Sequence, residues 1–233
     1  QVFNYGILLG VIDNNPMERT ITPKSISNST EIKEEVYSKE ELHLFFECLH
    51  KLKDERALVF FRIASYTGAR KGEILGLTWR DIDFDNQTIR FNKTLVELSD
   101  GSLCINPTKT DKSKRVISID NGTSRILKKW KRSVTKKNLS RGIRIDNIDD
   151  IPVISTIKGN KKRDFLYKGY PNHVMDKVAR KFPDMKIIKV HGFRKTHATL
   201  LFEAGAQVKD VQDRLGHSSS KTTMDIYIKV SKN

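Results

Sequence analysis

One short block of alternating residues interrupts a chain that otherwise follows the period of a helix. From Thr88 to Ile119, apolar and polar residues alternate in TIRFNKTLVEL, LCINPTK and KRVISID, separated by the turn-forming stretches SDG and TDKSK. Before and after this block, apolar residues recur every three to four positions, which is typical of amphipathic helices. The pattern predicts an α+β fold that is mainly α, with one small three-stranded antiparallel sheet.

The helical segments have start and stop signals. Ser38 and Glu41 predict a capping box ahead of one helix, and Asp54 opens a second helix that ends at Thr67 and Gly68. This second helix has apolar residues on both faces, so we expect it at the centre of the domain. Further helices are predicted at residues 123–138, 171–181, 191–204, 207–215 and from 220 to the end.

The first thirty-five residues differ from the rest. Phe3 to Ile12 can form one helix that the following DNNP would stop, and residues 17–35 are polar with little periodicity. We therefore divide the chain into residues 1–35, a helix with a linker, and 36–233, a compact domain. The chain starts with neither a basic segment nor a small-residue cleavage site, so we expect no export signal.

The charge of the chain indicates the chemistry of its partner. Forty-three Lys and Arg against twenty-eight Asp and Glu give a formal net charge of +15, an excess that favours a polyanion such as nucleic acid. No apolar run approaches the roughly 20 residues of a membrane span, so no membrane partner is expected. The two cysteines, Cys48 and Cys104, form neither a disulfide framework nor a CxxC metal pair and suit a reducing cytosol.

One helix begins with side chains that can hold an anion. In HGFRKTHATLL, His191 and Arg194 are three residues apart, so they are neighbours on a helix surface, near a helix start whose dipole favours negative charge. Together with free backbone N–H groups they could form a phosphate-sized pocket. Taken alone, the pair is equally compatible with a polar helix entry on the surface.

Two other segments carry comparable residues. In TGARKGEILGLTWRDID, Arg70 follows a helix end and precedes Glu73, which could orient its guanidinium. In LGHSSSKTTMDIY, His217 follows the predicted helix end at Gly216, and Tyr227 lies on the next helix. By itself Tyr227 is compatible with ordinary core packing.

These three motifs, in this order and at these separations, resemble the catalytic domain of the tyrosine recombinase or phage integrase family, in the form typical of phage and conjugative-element integrases. The likeness covers about residues 36–230, and the combination is specific although each motif alone is weak. It implies site-specific cleavage and rejoining of DNA through a 3′-phosphotyrosyl bond, for integration or excision of a mobile element in the bacterial cytosol or nucleoid. Residues 1–35 would then be the last helix of a core-binding domain and a linker.

The resemblance also implies a role for each matched residue. Tyr227 corresponds to the nucleophile, and Arg70 and Arg194 to the arginines that hold the non-bridging phosphate oxygens. His191 corresponds to the acid/base histidine and His217 to a residue that hydrogen-bonds the same phosphate. Because fixed cations would stabilise the charge of the transition state, neither a metal nor another cofactor is expected.

Basic residues outside these motifs are expected to assist. Lys109, in PTKTDKSKR, best matches the family's lysine that protonates the leaving 5′-oxygen, with Lys112 as the rival because turn lengths vary. Contacts to the DNA backbone are expected from the sheet turn and the later basic loop, although each charge could equally be solvated. These residues are Lys112, Lys114, Arg115, Lys158, Lys161, Lys162 and Arg163.

The implied partner is double-stranded DNA carrying attachment sites, on which the family assembles as a homotetramer, with a possible accessory DNA-bending or directionality protein. Three alternatives remain. A metal-dependent nuclease could use His191, His197 and His217, but the chain has no HExxH motif and no cysteine cluster, and we interpret His197 as structural. The others are a type IB topoisomerase, which shares the nucleophilic chemistry, and a DNA-binding module without catalysis.

Overall fold

The computed structural model describes residues 2–20, 36–108, 113–143, 147–158, 162–217 and 219–230. The chain divides into two compact units, Gln1–Lys33 and Glu34–Asn233. In the first unit, helix α1 (Val2–Leu8) precedes a 3-10 turn at Pro16–Arg19. The prediction that α1 reaches Ile12 is wrong, because the chain turns at Gly10, whose φ of 66° cannot continue a right-handed helix.

The helices of the second unit agree with the predicted segments, apart from a short one, α4, that follows Arg70. Asp54 caps α3, Gly68 ends it with a φ of 65°, and Ser38 and Glu41 form the predicted capping box of α2. The helices are α2 (Lys39–Leu52), α3 (Glu55–Thr67), α4 (Lys71–Leu75), α5 (Asn121–Leu139), α6 (Tyr170–Lys181), α7 (Gly192–Glu203), α8 (Val208–Leu215) and α9 (Ser220–Val230).

The strands form several small antiparallel sheets. They are β1 (Ile82–Asp83), β2 (Thr88–Phe91), β3 (Lys93–Glu97), β4 (Leu103–Pro107), β5 (Arg115–Ser118), β6 (Ser155–Lys158) and β7 (Lys162–Phe165). Strands β1, β2 and β5 make a three-stranded sheet, while β3 with β4 and β6 with β7 make two hairpins. The mainly helical class with small antiparallel sheets is therefore confirmed.

The predicted three-stranded meander is confirmed where its first strand pairs with its second, as β3 with β4, but it is wrong in the place of its third strand, β5. Its first strand breaks at Asn92, so that β2 pairs with β5, placing Ile89 opposite Ile117, while β3 pairs with β4. At the break, the Asn92 carbonyl accepts a hydrogen bond from the Thr108 N–H at 3.2 Å. The reason is burial: the sheet of β2 and β5 buries Ile89 and Ile117 in the core, whereas β4 is largely exposed and extends from the domain as half of a hairpin.

Helix α3 is central, as predicted, and contacts α2, α4, α5, α6 and α7. Phe61 on α3 packs against Phe45 of α2 and Phe193 of α7, with ring centroids 4.9 to 5.1 Å apart. Edge and tilted arrangements of this kind suit aromatic rings, whose faces and edges carry opposite partial charge. This packing fixes the start of α7 against the middle of α3, and the candidate site lies beyond it, at the end of α3.

Candidate functional site

Two arginines from distant parts of the chain meet at the end of α3. Arg194, in the first turn of α7, is 4% exposed and donates hydrogen bonds to the carbonyls of Gly68, at 2.7 Å, and Leu215, at 2.8 Å. Arg70, just before α4, donates to the carboxylate of Glu73 at 2.9 Å and lies 3.5 Å from the Gly216 carbonyl. The two guanidiniums therefore join the end of α3 to the end of α8.

Arg194 keeps its charge although it is buried. Its partners are carbonyl groups rather than a carboxylate, so no negative charge neutralises it directly. Burial, and then the nearby charges of Arg70 and Arg115, lower the pKa of Arg194 to about 9, so that it stays protonated at neutral pH. A buried cation held by neutral groups is a favourable place for an incoming anion.

Glu73 holds Arg70 in place, as the sequence suggested, and it also binds a second arginine. The carboxylate accepts hydrogen bonds from Arg70 and from Arg115, whose Nη2 lies 2.8 Å from Oε2. Burial alone would raise the pKa of Glu73, but the hydrogen bond and charge of Arg115, and then Arg70, outweigh burial, and the pKa is lowered. Glu73 is therefore a permanent anion between two guanidiniums.

Arg115, for which the sequence suggested a DNA contact, is buried and hydrogen-bonded within the protein. Its side chain is 6% exposed, and besides Glu73 it donates to the carbonyls of Arg214, at 2.9 Å, and Ser113, at 3.0 Å. Its neighbour Lys114 is exposed. Because the donors of Arg115 are engaged inside the protein, the residue braces the site from behind instead of offering its charge at the surface.

His191 and His217 both lie near the arginines. His191 is exposed at the start of α7 and lines the same cleft as Arg70 and Arg194. The His217 Nδ1 lies 2.7 Å from the Thr223 hydroxyl. Burial, followed by the charges of Arg194, Arg70, Arg115 and His191, lowers the pKa of His217 to about 4. At neutral pH, His217 is therefore an uncharged hydrogen-bonding group.

His197 has a structural role, as the sequence suggested. Its Nε2 accepts a hydrogen bond from Nε of Arg214 at 3.0 Å, so the proton of the neutral ring is on Nδ1, which lies 2.8 Å from the Ser65 carbonyl. Burial, and then the charge of Arg214, lowers the pKa of His197 to about 4. The ring thus joins α3, α7 and α8 in its uncharged form.

Tyr227 is partly exposed on the last described helix. It lies on α9, which packs on α7 and α8, and its ring is 40% exposed and stands edge-on to Phe202 with centroids 5.3 Å apart. Among the described residues, no group hydrogen-bonds the Tyr227 hydroxyl. The core-packing alternative for Tyr227 does not fit this exposure, and the phenol is free to reach a bound molecule.

Several predicted positions lie outside the described residues. These are Lys109 and Lys112, between the end of β4 at Pro107 and the start of β5 at Arg115, and Lys161, between β6 and β7 in the sequence. Lys158, Lys162 and Arg163 belong to those two strands, but their side chains are outside the description.

Some neighbours of the site had no clear signal in the sequence. Thr223, which holds His217, is fully buried on α9, and the hairpin of β6 and β7 was not predicted. Lys71 and Lys168 line the cleft beside Arg70, and burial, followed by the charge of Lys168, lowers the pKa of Lys71. Lys71 was recognisable as the residue after Arg70, but Lys168 is nearly a hundred positions away and only folding brings it close.

The described residues contain neither a membrane-spanning helix nor a metal-binding cluster. None of their helices is long and apolar enough to cross a membrane. Within the same part of the chain, no group of three or more His, Cys, Asp or Glu side chains is arranged to hold a metal ion.

Comparison with known proteins identifies the family. Residues 35–233 match the model of the phage integrase family, and the chain belongs to that family. It is 29% identical to a tyrosine recombinase XerC-like protein of Caldanaerobacter subterraneus, covering 98% of this chain and 59% of the relative. It is also 33% identical to the ICEBs1 integrase of Bacillus subtilis, covering 72% of this chain and 43% of that protein. The chain thus spans about half the length of these relatives.

Solved structures agree on the fold. The integrase of the Tn1549 transposon, in complex with a circular intermediate DNA, superposes with a TM-score of 0.73 and 22% identity, covering 97% of this chain and 70% of that one. XerA recombinase superposes with a TM-score of 0.58 and 18% identity, covering 97% and 68%. The helical domain with small sheets is therefore the fold of tyrosine recombinase catalytic domains.

Proposed function

We propose that this chain is the catalytic part of a site-specific DNA recombinase, an integrase that cleaves and rejoins DNA strands through a covalent bond to Tyr227. The observation that carries the proposal is the charge of the site. The guanidiniums of Arg70 and Arg115 share a single carboxylate, Glu73, and the nearby Arg194 binds carbonyl groups, so the cluster has more positive than negative charge. A DNA phosphodiester supplies an anion, and membership of the phage integrase family supports that substrate.

In the proposed step, the phenolic oxygen of Tyr227 attacks a backbone phosphorus, an O–P bond to tyrosine forms, and the bond from phosphorus to the 5′-oxygen breaks. The phenolic proton passes to His191, and the departing 5′-oxygen takes a proton from Lys109 or Lys112 to become a hydroxyl. A phenol has an unperturbed pKa of about 10, so it needs this base and the nearby cations to react at neutral pH.

Arg70, Arg194 and His217 complete the proposed mechanism. The two arginines bind the non-bridging oxygens, where one well-placed donor contributes about 3 kcal/mol to the stability of the transition state, judging from donor deletions in other enzymes. His217, uncharged at neutral pH, contributes a hydrogen bond to the same phosphate. Rejoining is the reverse attack by a 5′-hydroxyl of another strand. The covalent bond keeps the energy of the phosphodiester, so no nucleotide cofactor is required.

The proposal is tested by trapping the intermediate. The chain is incubated with duplexes that carry the ends of the mobile element that encodes it. Each duplex has a nick a few nucleotides 3′ of the cleavage position, so the short fragment with the new 5′-hydroxyl diffuses away after attack and cannot rejoin. We expect a DNA–protein adduct that withstands denaturant, is lost in Tyr227→Phe, and persists with chelator. An adduct in Tyr227→Phe would refute the proposal. Cleavage that stops with chelator would point to the metal-dependent nuclease.

A second measurement separates recombination from topoisomerase activity. The chain is incubated with two intact attachment-site duplexes of different length, and with supercoiled plasmid DNA. A recombinase exchanges strands between the two duplexes, whereas relaxation of supercoils without such exchange would indicate the type IB topoisomerase. DNA binding without an adduct on any duplex would indicate the non-catalytic module.

The wider assembly is part of the same proposal. Residues 1–35 contribute the last helix of a core-binding domain, and the active form is a homotetramer on attachment-site DNA, with a possible accessory bending or directionality protein. Lys114 and the basic loop with Lys161 and Lys162 contact the DNA backbone away from the cleaved phosphate. Neutralising Lys114 is expected to weaken binding equally for all DNA sequences, because phosphate contacts carry no sequence information.

A further inference from the structure

The outward side of α5 carries a row of cations that the proposed cleavage site does not use. Helix α5 buries Leu127, Trp130 and Val134 against the body of the domain. Exposed basic residues follow one another on the opposite side at the spacing of a single helix face. We call them the α5 basic face: Arg125, Lys128, Lys129, Arg132 and Lys136.

These charges are only partly compensated within the described part of the chain, where the charge of Lys129 acts on Glu55 at one border of the face. Helix α5 contains no Asp or Glu. Its ion pairs involve Lys131, with Asp149 at 3.3 Å, and Lys137, with Glu55 at 2.7 Å, both at the borders of the face. No member of the face itself pairs with a described acidic residue. Like charges one turn apart repel each other, and a surface that only has to be soluble usually mixes both signs.

The dimensions of the row fit an extended anion. Arg125 and Lys136 are eleven residues apart, which at about 1.5 Å per residue makes the row about 16 Å long. One strand of duplex DNA carries a phosphate about every 3.4 Å along its axis, so the row spans about five phosphates. Beside the row from Lys128 onward, Phe84 and Leu139 line a groove with the basic residues and with one acidic residue, Asp85. The Lys128 ammonium lies 5.7 Å from the centre of the Phe84 ring.

The face extends away from the candidate site. Ser133 and Lys137 of α5 hydrogen-bond Glu55, at the first turn of α3, whereas the Gly68 carbonyl that binds Arg194 is at the opposite end of that helix. Thirteen residues at about 1.5 Å each separate the two ends of α3 by about 20 Å. The outer end of the α5 basic face is therefore about 20 Å from the arginine cluster along the axis of α3.

We propose that the α5 basic face binds the phosphate backbone of a second duplex segment, distinct from the one being cleaved. The proposal rests on the charge, length and position of α5 and not on cleavage at Tyr227. Duplex DNA is favoured over an acidic protein segment because the row is straight, regular and as long as several successive phosphates.

A sandwich assay tests the proposal. Tyr227→Phe protein is bound to a biotinylated 40-base-pair duplex on beads, washed, and offered a fluorescent duplex of unrelated sequence. The test variant is Lys129→Gln/Arg132→Gln/Lys136→Gln. The control, Lys39→Gln/Lys51→Gln/Lys53→Gln, removes the same charge from exposed positions at α2. We expect the test variant to hold the first duplex but to capture the second about tenfold less well, and the control to capture it normally.

The salt dependence of capture gives a second readout. Each phosphate contact contributes about 0.9 to the slope of the logarithm of affinity against the logarithm of salt concentration, so loss of three contacts lowers that slope by up to about 2.7. Equal losses in test and control variants would overturn the proposal, since total charge alone would explain them. It would also be overturned if polyglutamate of equal charge displaced the second duplex more effectively than DNA. Because Tyr227→Phe protein is used, the result is independent of the adduct experiment.

Discussion

At the scale of single residues, Glu73 determines how the cationic site is built. Without it, the guanidiniums of Arg70 and Arg115 would face each other across a buried space with no anion between them. With it, Arg115 is held behind the site and Arg70 keeps a side chain that is 42% exposed. The carboxylate therefore binds two arginines with different roles: Arg115 is buried and structural, whereas Arg70 is partly exposed and available to a ligand.

Replacement of this carboxylate should be costly. We expect Glu73→Gln to lower the free energy of unfolding by about 3 kcal/mol, because breaking a buried ion pair leaves Arg115 uncompensated, and to slow adduct formation. Urea unfolding measures the first effect. The matched control is Glu55→Gln, whose exposed pair with Lys137 is worth at most about 1 kcal/mol. Similar small losses in both variants would mean that Glu73 does not organise the site.

His197 should make stability depend on pH. Its pKa of about 4 in the folded protein is below the 6.5 of an ordinary histidine. Between these values the unfolded chain binds more protons, so the stabilisation is complete above about pH 6.5 and is lost as the pH falls towards 4. For this buried ring the loss amounts to about 3 kcal/mol.

The effect is measured by urea unfolding at pH 7 and pH 4.5. The fall in stability should be smaller in His197→Gln than in the unmodified chain, whatever the starting stability of the variant. His43, whose side chain is 80% exposed, supplies the control, since His43→Gln should leave the fall unchanged. If the free energy of unfolding fell by the same amount in all three proteins, protonation of His197 would not be the cause of the pH dependence.

At the scale of elements, the site is an arrangement of helix ends. Helices α3 and α8 both end at a glycine with positive φ, Gly68 at 65° and Gly216 at 68°. The carbonyls near these ends, which have no partner within their helices, accept hydrogen bonds from Arg70 and Arg194. The arginines thus supply hydrogen-bond donors to the carbonyls at the two helix ends and remain positively charged.

Gly68 should tolerate no side chain. A Cβ atom there would lie 2.5 Å from a methyl group of Leu215 and 2.8 Å from the His197 ring. We expect Gly68→Ala to lower the free energy of unfolding by about 1 to 3 kcal/mol more than Gly205→Ala. Gly205 also has a positive φ, of 84°, but open space around it, so it controls for backbone strain. Urea unfolding of both variants gives the difference, and equal losses would mean that crowding is unimportant.

At the scale of the whole molecule, charge should govern assembly. A net charge of +15 makes copies of the chain repel each other, and bound DNA removes that repulsion. We therefore expect the chain to sediment as a monomer without DNA, and multimers to form on attachment-site duplexes. Analytical ultracentrifugation at moderate salt, with and without duplex, measures this. A stable tetramer without DNA would contradict the expectation.

Much of the fold could be predicted because its signals are local. The caps at Ser38 and Asp54 and the helix end at Gly68 depend on residues within one turn, and the period of apolar residues located most helices. The pairing of β5 could not be predicted in this way. Because the strand breaks at Asn92, β2 pairs with β5. This pairing depends on which residues are buried against helices that are distant in the sequence.

The same division applies to the site. The sequence by itself determined which residue types can act, and Glu73 was recognised as a partner of Arg70 because three positions on a helix are always neighbours. Only the tertiary structure decided that Arg115 is buried, that Arg194 binds carbonyls rather than a carboxylate, and that His217 is uncharged at neutral pH. These properties depend on burial and on charges brought together from far along the chain, and no local pattern of residues encodes the environment that folding creates.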